Sequence, residues 1–485
     1  MLRFLSYCAA ALLLLPAPLR AQQAAPAPAP AVTGRTQLAP YPAAPAPVDS
    51  LPARTLAEAF RRGHWHGRVR NYFMVTLNRD RLPDYYANGL GTGARFETAP
   101  LHGFQLGVGG FFWANLASSD LATPDAASQA VSRYEVGLFD VTDPGRRQLT
   151  GRPEELYVRY RFRHSSVTLG RQLLSTPLLN PYDGRLSPAY AQGLWLESSE
   201  LPRTTVTAGW LTHLSPRSTS AWYSAANSIG IYPSGVNESG QRSAYAGHLR
   251  SRGLGILAVS RQLGQRTRAQ VWNYYADNLF NTVFTEITTG RAAGAGQLTL
   301  GGQYLYQRTV GTGGNADPRR TYSVPGREAH ALSARLGYQR GGWSVSGNYT
   351  RITRAGRFLF PREWGREPFY TFLPREREEG AGDLDAAVLL ASYAVPAVPG
   401  LKAEVGYGHY YLPDVANVRL NKYGMPAYRQ LNASLTYPFR GGVTGLKAQL
   451  LYVYKGTLGN TPGEARYVVN KVDMHLLNAV LNYAF

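Results

Sequence analysis

From about residue 55 onward the chain has no apolar run long enough to cross a bilayer as a helix, which takes about 20 residues. Instead, apolar and polar side chains alternate over segments of roughly 8 to 13 residues separated by turn residues. A period of two belongs to the β-strand, whose pleat sends successive side chains to opposite faces. Leu446, Ala448, Leu450, Tyr452 and Tyr454 share one face of such a segment, with Lys447, Gln449 and Lys455 on the other. Leu156, Val158, Tyr160 and Phe162 alternate with Tyr157, Arg159, Arg161 and Arg163. Phe104, Leu106, Val108 and Phe112 alternate with Gln105, Gly107, Gly109 and Asn115. Similar stretches fall near 65–78, 89–98, 204–213, 244–251, 254–261, 268–277, 281–289, 296–307, 330–340, 342–353, 384–394, 400–411 and 428–437, with weaker ones near 167–172 and 192–199. A soluble β-protein would need a second sheet to cover the Tyr-rich face, and no block of continuously apolar strands supplies one. In lipid only a closed barrel leaves no unpaired edge. Single-chain bacterial barrels have an even strand number; the segments give 16 or 18, with 18 preferred. The predicted fold is therefore an all-β, antiparallel transmembrane β-barrel.

The N-terminus agrees with export. A basic Met1-Leu2-Arg3, an apolar Phe4 to Leu15 and a small residue at Ala21 read as a signal peptide over 1–21. Residues 22–54 are Pro/Ala-rich and read as an extended, disordered periplasmic tail. The barrel is expected over 55–485, preceded by one helical turn near Thr55–Phe60. The single cysteine, Cys8, lies in the leader, so the mature chain can hold no disulfide and no thiolate metal site. Loss of Arg3 and Arg20 with the leader takes the formal charge from +20 to +18. Export and the thin spread of arginines argue against nucleic acid as the partner. A basic lumen, or a surface facing anionic headgroups, fits better. With 32 Tyr, 51 Gly and slightly polar mean hydropathy, the composition suits a wall with one face in lipid and one in water.

Short turns such as His164-Ser165-Ser166 and Arg340-Gly341-Gly342 read as periplasmic hairpins. Longer connections, at about 116–153, 173–191, 214–243, 308–329, 354–383, 412–427 and 456–471, read as extracellular or inward-folded loops. In the last segment Leu477, Ala479, Leu481, Tyr483 and Phe485 share a face. A terminal Phe on such a strand is similar to the signal read by the outer-membrane assembly machinery, an expected partner beside membrane lipid.

Several loop segments, in their order along the chain, resemble the OprD-type outer-membrane porins. These are Gly170-Arg171-Gln172, Asn180-Pro181-Tyr182-Asp183-Gly184-Arg185, Ser215-Pro216-Arg217-Ser218-Thr219, Glu363-Trp364-Gly365-Arg366-Glu367-Pro368-Phe369-Tyr370 and Pro374-Arg375-Glu376-Arg377-Glu378-Glu379-Gly380. Leu412-Pro413-Asp414-Val415, Leu420-Asn421-Lys422-Tyr423 and Val472-Asp473-Met474-His475 continue the likeness, which runs from about residue 56 to the end. The Pro/Ala tail departs from it. The resemblance implies a monomeric, 18-stranded, substrate-selective channel with an inward-folded constriction loop. It also implies a row of basic wall residues that guides carboxylate-bearing solutes such as amino acids, short peptides or small organic acids.

The candidate pore-lining residues follow. Arg68 and Arg70 share one face of the first strand, and Arg159, Arg161 and Arg163 share one face of another. A bare charge facing lipid at the midplane costs about 2–4 kcal/mol, so both sets should face water. A line of guanidinium groups offers carboxylates successive weak bidentate contacts. The competing reading puts these arginines at the rim, against headgroups or loop acids. Arg171 and, in the segment 173–191, Tyr182, Asp183 and Arg185 complete the set; tight-turn chemistry accounts for Asn180 to Gly184 equally well. The run Arg375 to Glu379 reads first as a solvated loop and second as a salt-bridged clamp. Gly89-Leu90-Gly91-Thr92-Gly93 has no helix behind it, and its glycines suit a bending strand rather than a nucleotide loop. His64 and His66 fit an interface better than a metal site, no HExxH or Gly-x-Ser-x-Gly pattern occurs, and no cofactor is expected. An enzyme on a plugged barrel, with a triad assembled in space, and a sealed adhesive or structural barrel remain the alternatives to a channel.

Overall fold

Strand pairing runs without interruption around a ring. The computed structural model describes residues 52–485 except Asp80, Asp183, Gly184 and Glu376. The expected leader and most of the expected tail lie outside the described residues. Eighteen strands form the wall: β1 (His64–Asn78), β2 (Tyr85–Glu97), β3 (Phe104–Ser118), β4 (Thr150–Phe162), β5 (Ser165–Gln172), β6 (Tyr190–Ser198), β7 (Thr204–Ser215), β8 (Leu254–Gln262) and β9 (Thr267–Ala276) make one half. The other half is β10 (Phe280–Ala293), β11 (Gly296–Thr309), β12 (Glu328–Arg340), β13 (Trp343–Ile352), β14 (Leu384–Ala394), β15 (Lys402–Tyr411), β16 (Tyr428–Pro438), β17 (Leu446–Thr457) and β18 (Met474–Ala484). Each strand pairs antiparallel with its sequence neighbours, and β18 closes on β1 in a register that sets Val69 opposite Tyr483. The main chains of Gly67 and Phe485 exchange hydrogen bonds of 2.7 and 3.0 Å and extend that seam to the last residue. A two-residue pairing, Tyr223–Ser224 on the end of β7, belongs to the loop after it.

The weak segments near 167–172 and 192–199 are strands, and the one near 244–251 is not. Tyr245 and Leu249, which imitate a strand in sequence, are buried in a loop core rather than facing lipid. The short turns lie at the same end as both ends of the barrel chain, and the long connections crowd the other end. By that asymmetry the first is the periplasmic end. There the helix α1 (Leu56–Arg61) is capped by Thr55 Oγ1, which accepts from the Glu58 N–H at 3.2 Å. Ala53 donates to the Pro100 carbonyl and Ala99 to the Ala59 carbonyl, so the chain is tied to the turn between β2 and β3 from Ala53 on, before the expected boundary at 55.

The outer face is apolar: Leu106, Val158, Leu169, Leu257, Leu336 and Leu389 are among its exposed side chains. The inner face is not uniformly polar. Ile256, Tyr274, Phe284 and Leu305 point inward from β8 to β11 and are buried beside Phe358, Phe360 and Trp364 of an inward loop. Aromatic and aliphatic side chains on that arc thus meet protein instead of water.

Across the barrel the middle of β2 is bare on its inner face. Gly89, Gly91 and Gly93 point inward there, and the gap is filled by Phe111 of β3 and by Leu186 and Phe139 of loops. A Cβ at Gly93 would meet Phe111 Cδ2 at 2.5 Å and the Gly110 carbonyl at 2.6 Å. We expect Gly93→Val to lower barrel stability by about 1–3 kcal/mol, read as a lower urea midpoint of the protein in lipid vesicles; an unchanged midpoint would show that β3 yields at no cost.

Candidate functional site

The inner faces of β1 to β4 carry six arginines against three glutamates. Arg68 and Arg70 of β1, Arg95 of β2 and Arg152, Arg159 and Arg161 of β4 point inward; so do Glu97, Glu154 and Glu155. Glu154 reaches this face through a β-bulge. Gly109 pairs with Glu155 and Gly110 with Pro153, so Glu154 is the extra residue and is turned inward beside Glu155. It lies 2.5 Å from Arg68 and 3.3 Å from Arg152, and accepts from Tyr190 Oη at 3.0 Å. Glu97 accepts from Tyr157 Oη and stands 3.1, 3.5 and 3.9 Å from Arg95, Arg159 and Arg161. Glu155 is 3.4 Å from Arg95. The acids hold the arginines in place and leave the wall with an excess of positive charge.

Two loops meet inside the barrel. In the segment 173–189, Thr176 and Leu178 bond the Tyr274 hydroxyl of β9 at 2.9 and 3.3 Å. The segment 353–383 runs across the lumen. Leu359 is bonded in both directions to Gln307 of β11, Gln303 donates to the Pro368 carbonyl, and the Tyr370 N–H donates to Ser333 of β12. Further along, the Pro374 carbonyl accepts from Gln430 and Asn432 of β16 at 2.9 and 3.0 Å. Arg375 donates to Tyr72 of β1 at 2.5 Å and to Asn478 of β18 at 3.1 Å, and its carbonyl accepts from Lys455 of β17 at 3.2 Å. The two loops touch where Asn180 donates to the Arg366 carbonyl at 2.9 Å. Tyr182, Arg335, Arg366, Tyr370 and Phe372 line a recess there, with Arg366 stacked 3.6 Å from the Phe372 ring centroid and Arg335 4.9 Å from that of Tyr370.

Four of the sequence-derived arginines, Arg68, Arg70, Arg159 and Arg161, stand on the inner face. Arg163 does not belong with them: β4 ends at Phe162, and Arg163 sits in the turn with φ 47°, exposed at the periplasmic end. Arg171 is on the other side of the wall. It pairs across the ladder with Leu156 and shares its face with Leu169, which are 59% and 61% exposed to the lipid side. There it donates to Gln192 at 2.9 Å and stacks on Trp222. Arg185 is buried and donates to the Tyr134 carbonyl at 3.3 Å, which is a packing contact. Tyr182 is half-buried, 3.1 Å from Ser175 Oγ, and Asp183 lies outside the described residues. The run 375–379 is a clamp rather than a solvated loop. Arg377 pairs with Glu367 at 3.0 Å, Glu379 with Arg362 at 2.6 Å, and Glu378 and Glu379 are both 2% exposed; Glu376 lies outside the described residues.

Arg95, Arg152, Arg335, Glu154 and Glu155 escaped the reading of the sequence. The first and third stand at inward positions of alternating segments already recognised, so parity alone would have found them. For Glu154 the one available sign is Pro153, since proline within a strand marks an edge or a bulge.

Outside the membrane-spanning strands, the loops bury charge. Lys422 is packed among Tyr245, Tyr322 and Glu379, and burial pulls its ammonium down to about 8. Lys471 donates to the Tyr423 and Gly424 carbonyls at 2.8 and 3.2 Å; burial, then Arg133, Arg466 and Arg362, pull it down to about 7. Because this folded value lies below that of the unfolded chain, folding is disfavoured by the charged form. The penalty is full below pH 7 and fades as pH rises. Unfolding midpoints should therefore rise from pH 7 to 9, and Lys471→Met should remove part of the rise, up to about 2 kcal/mol. Equal slopes for the two proteins would refute the assignment.

Comparison with known proteins places this geometry. Residues 130–410 match the family model described as outer membrane porin, OprD family. Comparison with curated proteins returned no match. Among solved structures, Pseudomonas aeruginosa OccK9 (OpdG) superposes with a TM-score of 0.68 at 16% identity over 88% of this chain and 99% of that one. P. aeruginosa OpdK, solved with vanillate, gives 0.66 at 17% over 88% and 99%. Acinetobacter baumannii OccAB4 gives 0.68 at 14% over 87% and 98%.

Proposed function

The chain belongs to the OprD family of outer-membrane porins, passive channels of the bacterial outer membrane, and on that premise we propose that its lumen selects small carboxylate-bearing solutes: amino acids, short peptides or small organic acids. The observation that carries this reading is the excess of arginine over glutamate on the inner faces of β1 to β4. A guanidinium already steadied by a wall carboxylate, as Arg68 is by Glu154 and Arg159 by Glu97, keeps further N–H donors to offer a passing carboxylate. Because each such contact is shared with a fixed acid, no single station binds a solute too tightly to release it, as conduction requires.

The loops 173–189 and 353–383 narrow the path. Their meeting at Asn180 and Arg366 sets Tyr182 and Arg366 in the recess, where a solute would leave bulk water. Arg68, Arg70, Arg159 and Arg161 then act as stations along the wall, and Tyr182 as a contact near the loops; Arg163, Arg171 and Arg185 are left out for the placements given above. Vanillate, present with OpdK, is itself a carboxylate. The protein is proposed to act as a monomer without a cofactor, with Phe485 offered to the assembly machinery at the seam.

In planar bilayers under a salt gradient, the purified protein should give stepwise conductance with a reversal potential favouring anions. Arg159→Glu combined with Arg161→Glu should reduce the anion-to-cation permeability ratio by roughly tenfold, since wall charge sets the local ion concentration. Cation preference in the parent protein would exclude the carboxylate reading, and silence from well-folded protein would exclude an open channel.

A further inference from the structure

Near the extracellular ends of β11 to β18 the outer face carries an arc of polar side chains. Imidazoles and phenols are coupled there: Tyr304 with His330 at 2.8 Å, Tyr452 with His475 at 2.7 Å, and His409 with both Tyr407 at 2.9 Å and Tyr411 at 3.2 Å. Tyrosine at a membrane interface is ordinary. A cation on this face needs a partner, as Arg171 on the far arc has in Gln192 and Trp222.

Arg351 is compensated, being bonded to Asp383 and, at 2.7 Å, to Asp385. Arg429 of β16 is exposed on the same outward face, and among the described residues it forms no ion pair or side-chain hydrogen bond. It stands across the ladder from His409 on one side and from Gly456 on the other. The glycine matters. Gly456 is buried, because the space a Cβ would take is already filled by Tyr454 Oη, 2.6 Å from that position, and Arg429 Nε, 3.2 Å from it, so the glycine lets the guanidinium and the phenol hydroxyl lie side by side over the strand. Asp385, across the ladder from Tyr411, is taken by Tyr349 and Arg351 and cannot neutralise it.

We propose that the exposed guanidinium of Arg429, lying over Gly456 beside the Tyr454 hydroxyl and across the ladder from His409, binds a phosphate of an outer-leaflet lipid headgroup. An exposed cation at the lipid-facing rim, supplied with neighbouring hydroxyl donors and lacking a protein acid, is complementary to a phosphate monoester at headgroup depth. The site is distinct from the lumen: Arg429 and its flanking inward residues Tyr428 and Gln430 point to opposite sides of the wall. Solute selection and lipid binding therefore fail independently.

The test uses the full chain in nanodiscs doped with bis-phosphorylated lipid A, with native mass spectrometry counting retained glycolipid. Arg429→Gln should lower retention by roughly fivefold, the factor corresponding to about 1 kcal/mol for one interfacial cation. Arg351→Gln should leave retention unchanged, and channel conductance should be unaltered in Arg429→Gln. Lipid A stripped of its phosphates should be retained by the unmodified protein roughly fivefold less than intact lipid A, a comparison that needs no variant. Equal retention by parent and Arg429→Gln, no loss on removing the phosphates, or full displacement by millimolar inorganic phosphate would each overturn the proposal, the last by showing a free-anion site.

Discussion

A peptide group stripped of water in hydrocarbon costs several kcal/mol if it finds no hydrogen-bond partner, and every feature of this molecule is arranged around that penalty. Eighteen strands paired in a ring give the backbone donors of the wall neighbours except where a bulge interrupts the ladder, and pairing of β18 with β1 removes the edges that an open sheet would present. Once the backbone is satisfied by closure, the side chains are free to differ between the two faces. The outer face can be apolar throughout its middle, and the inner one can hold whatever the enclosed loops and solutes need.

The inner wall meets a second form of the same problem. Arginines in a space partly filled by protein lose hydration, and each wall guanidinium of β4 has a carboxylate or a carbonyl within reach. Arg152, with its side chain fully buried, donates to the Pro216, Pro188 and Thr219 carbonyls as well as contacting Glu154. It is therefore a strut for the loops rather than a station for solutes, while Arg159 and Arg161, about a quarter to a third exposed, keep donors turned to water. One strand thus carries both roles, divided by depth.

Much of this was legible from residue order. Period-two alternation gave the strands, the faces of Arg68, Arg70, Arg159 and Arg161, and the outward set from Leu477 to Tyr483, because in lipid the pleat leaves little freedom to misplace a charge. The failures have a common cause, which is that alternation describes walls and not what is folded inside them. Tyr245 and Leu249 alternate like a strand yet pack beneath loops. Arg375 to Glu379 looks like a solvated charge run yet crosses the lumen to Tyr72 and Asn478. The apolar inner arc of Tyr274 and Phe284 is intelligible only with Phe360 and Trp364 against it. Arg163 and Arg171 show the finer limit: a strand ending one residue early, or a short strand of unassigned parity, moves a side chain out of the channel altogether.

The seam between β1 and β18 has a consequence for how such a molecule comes into being. It joins residue 69 to residue 483, a contact between opposite ends of the polypeptide. Loops closed over so great a separation are entropically slow to form. Until the final segment docks, both flanks of the growing sheet are adhesive templates for any passing strand. Maturation is thus a race between self-closure and capture by a neighbour, decided by how soon β18 finds β1.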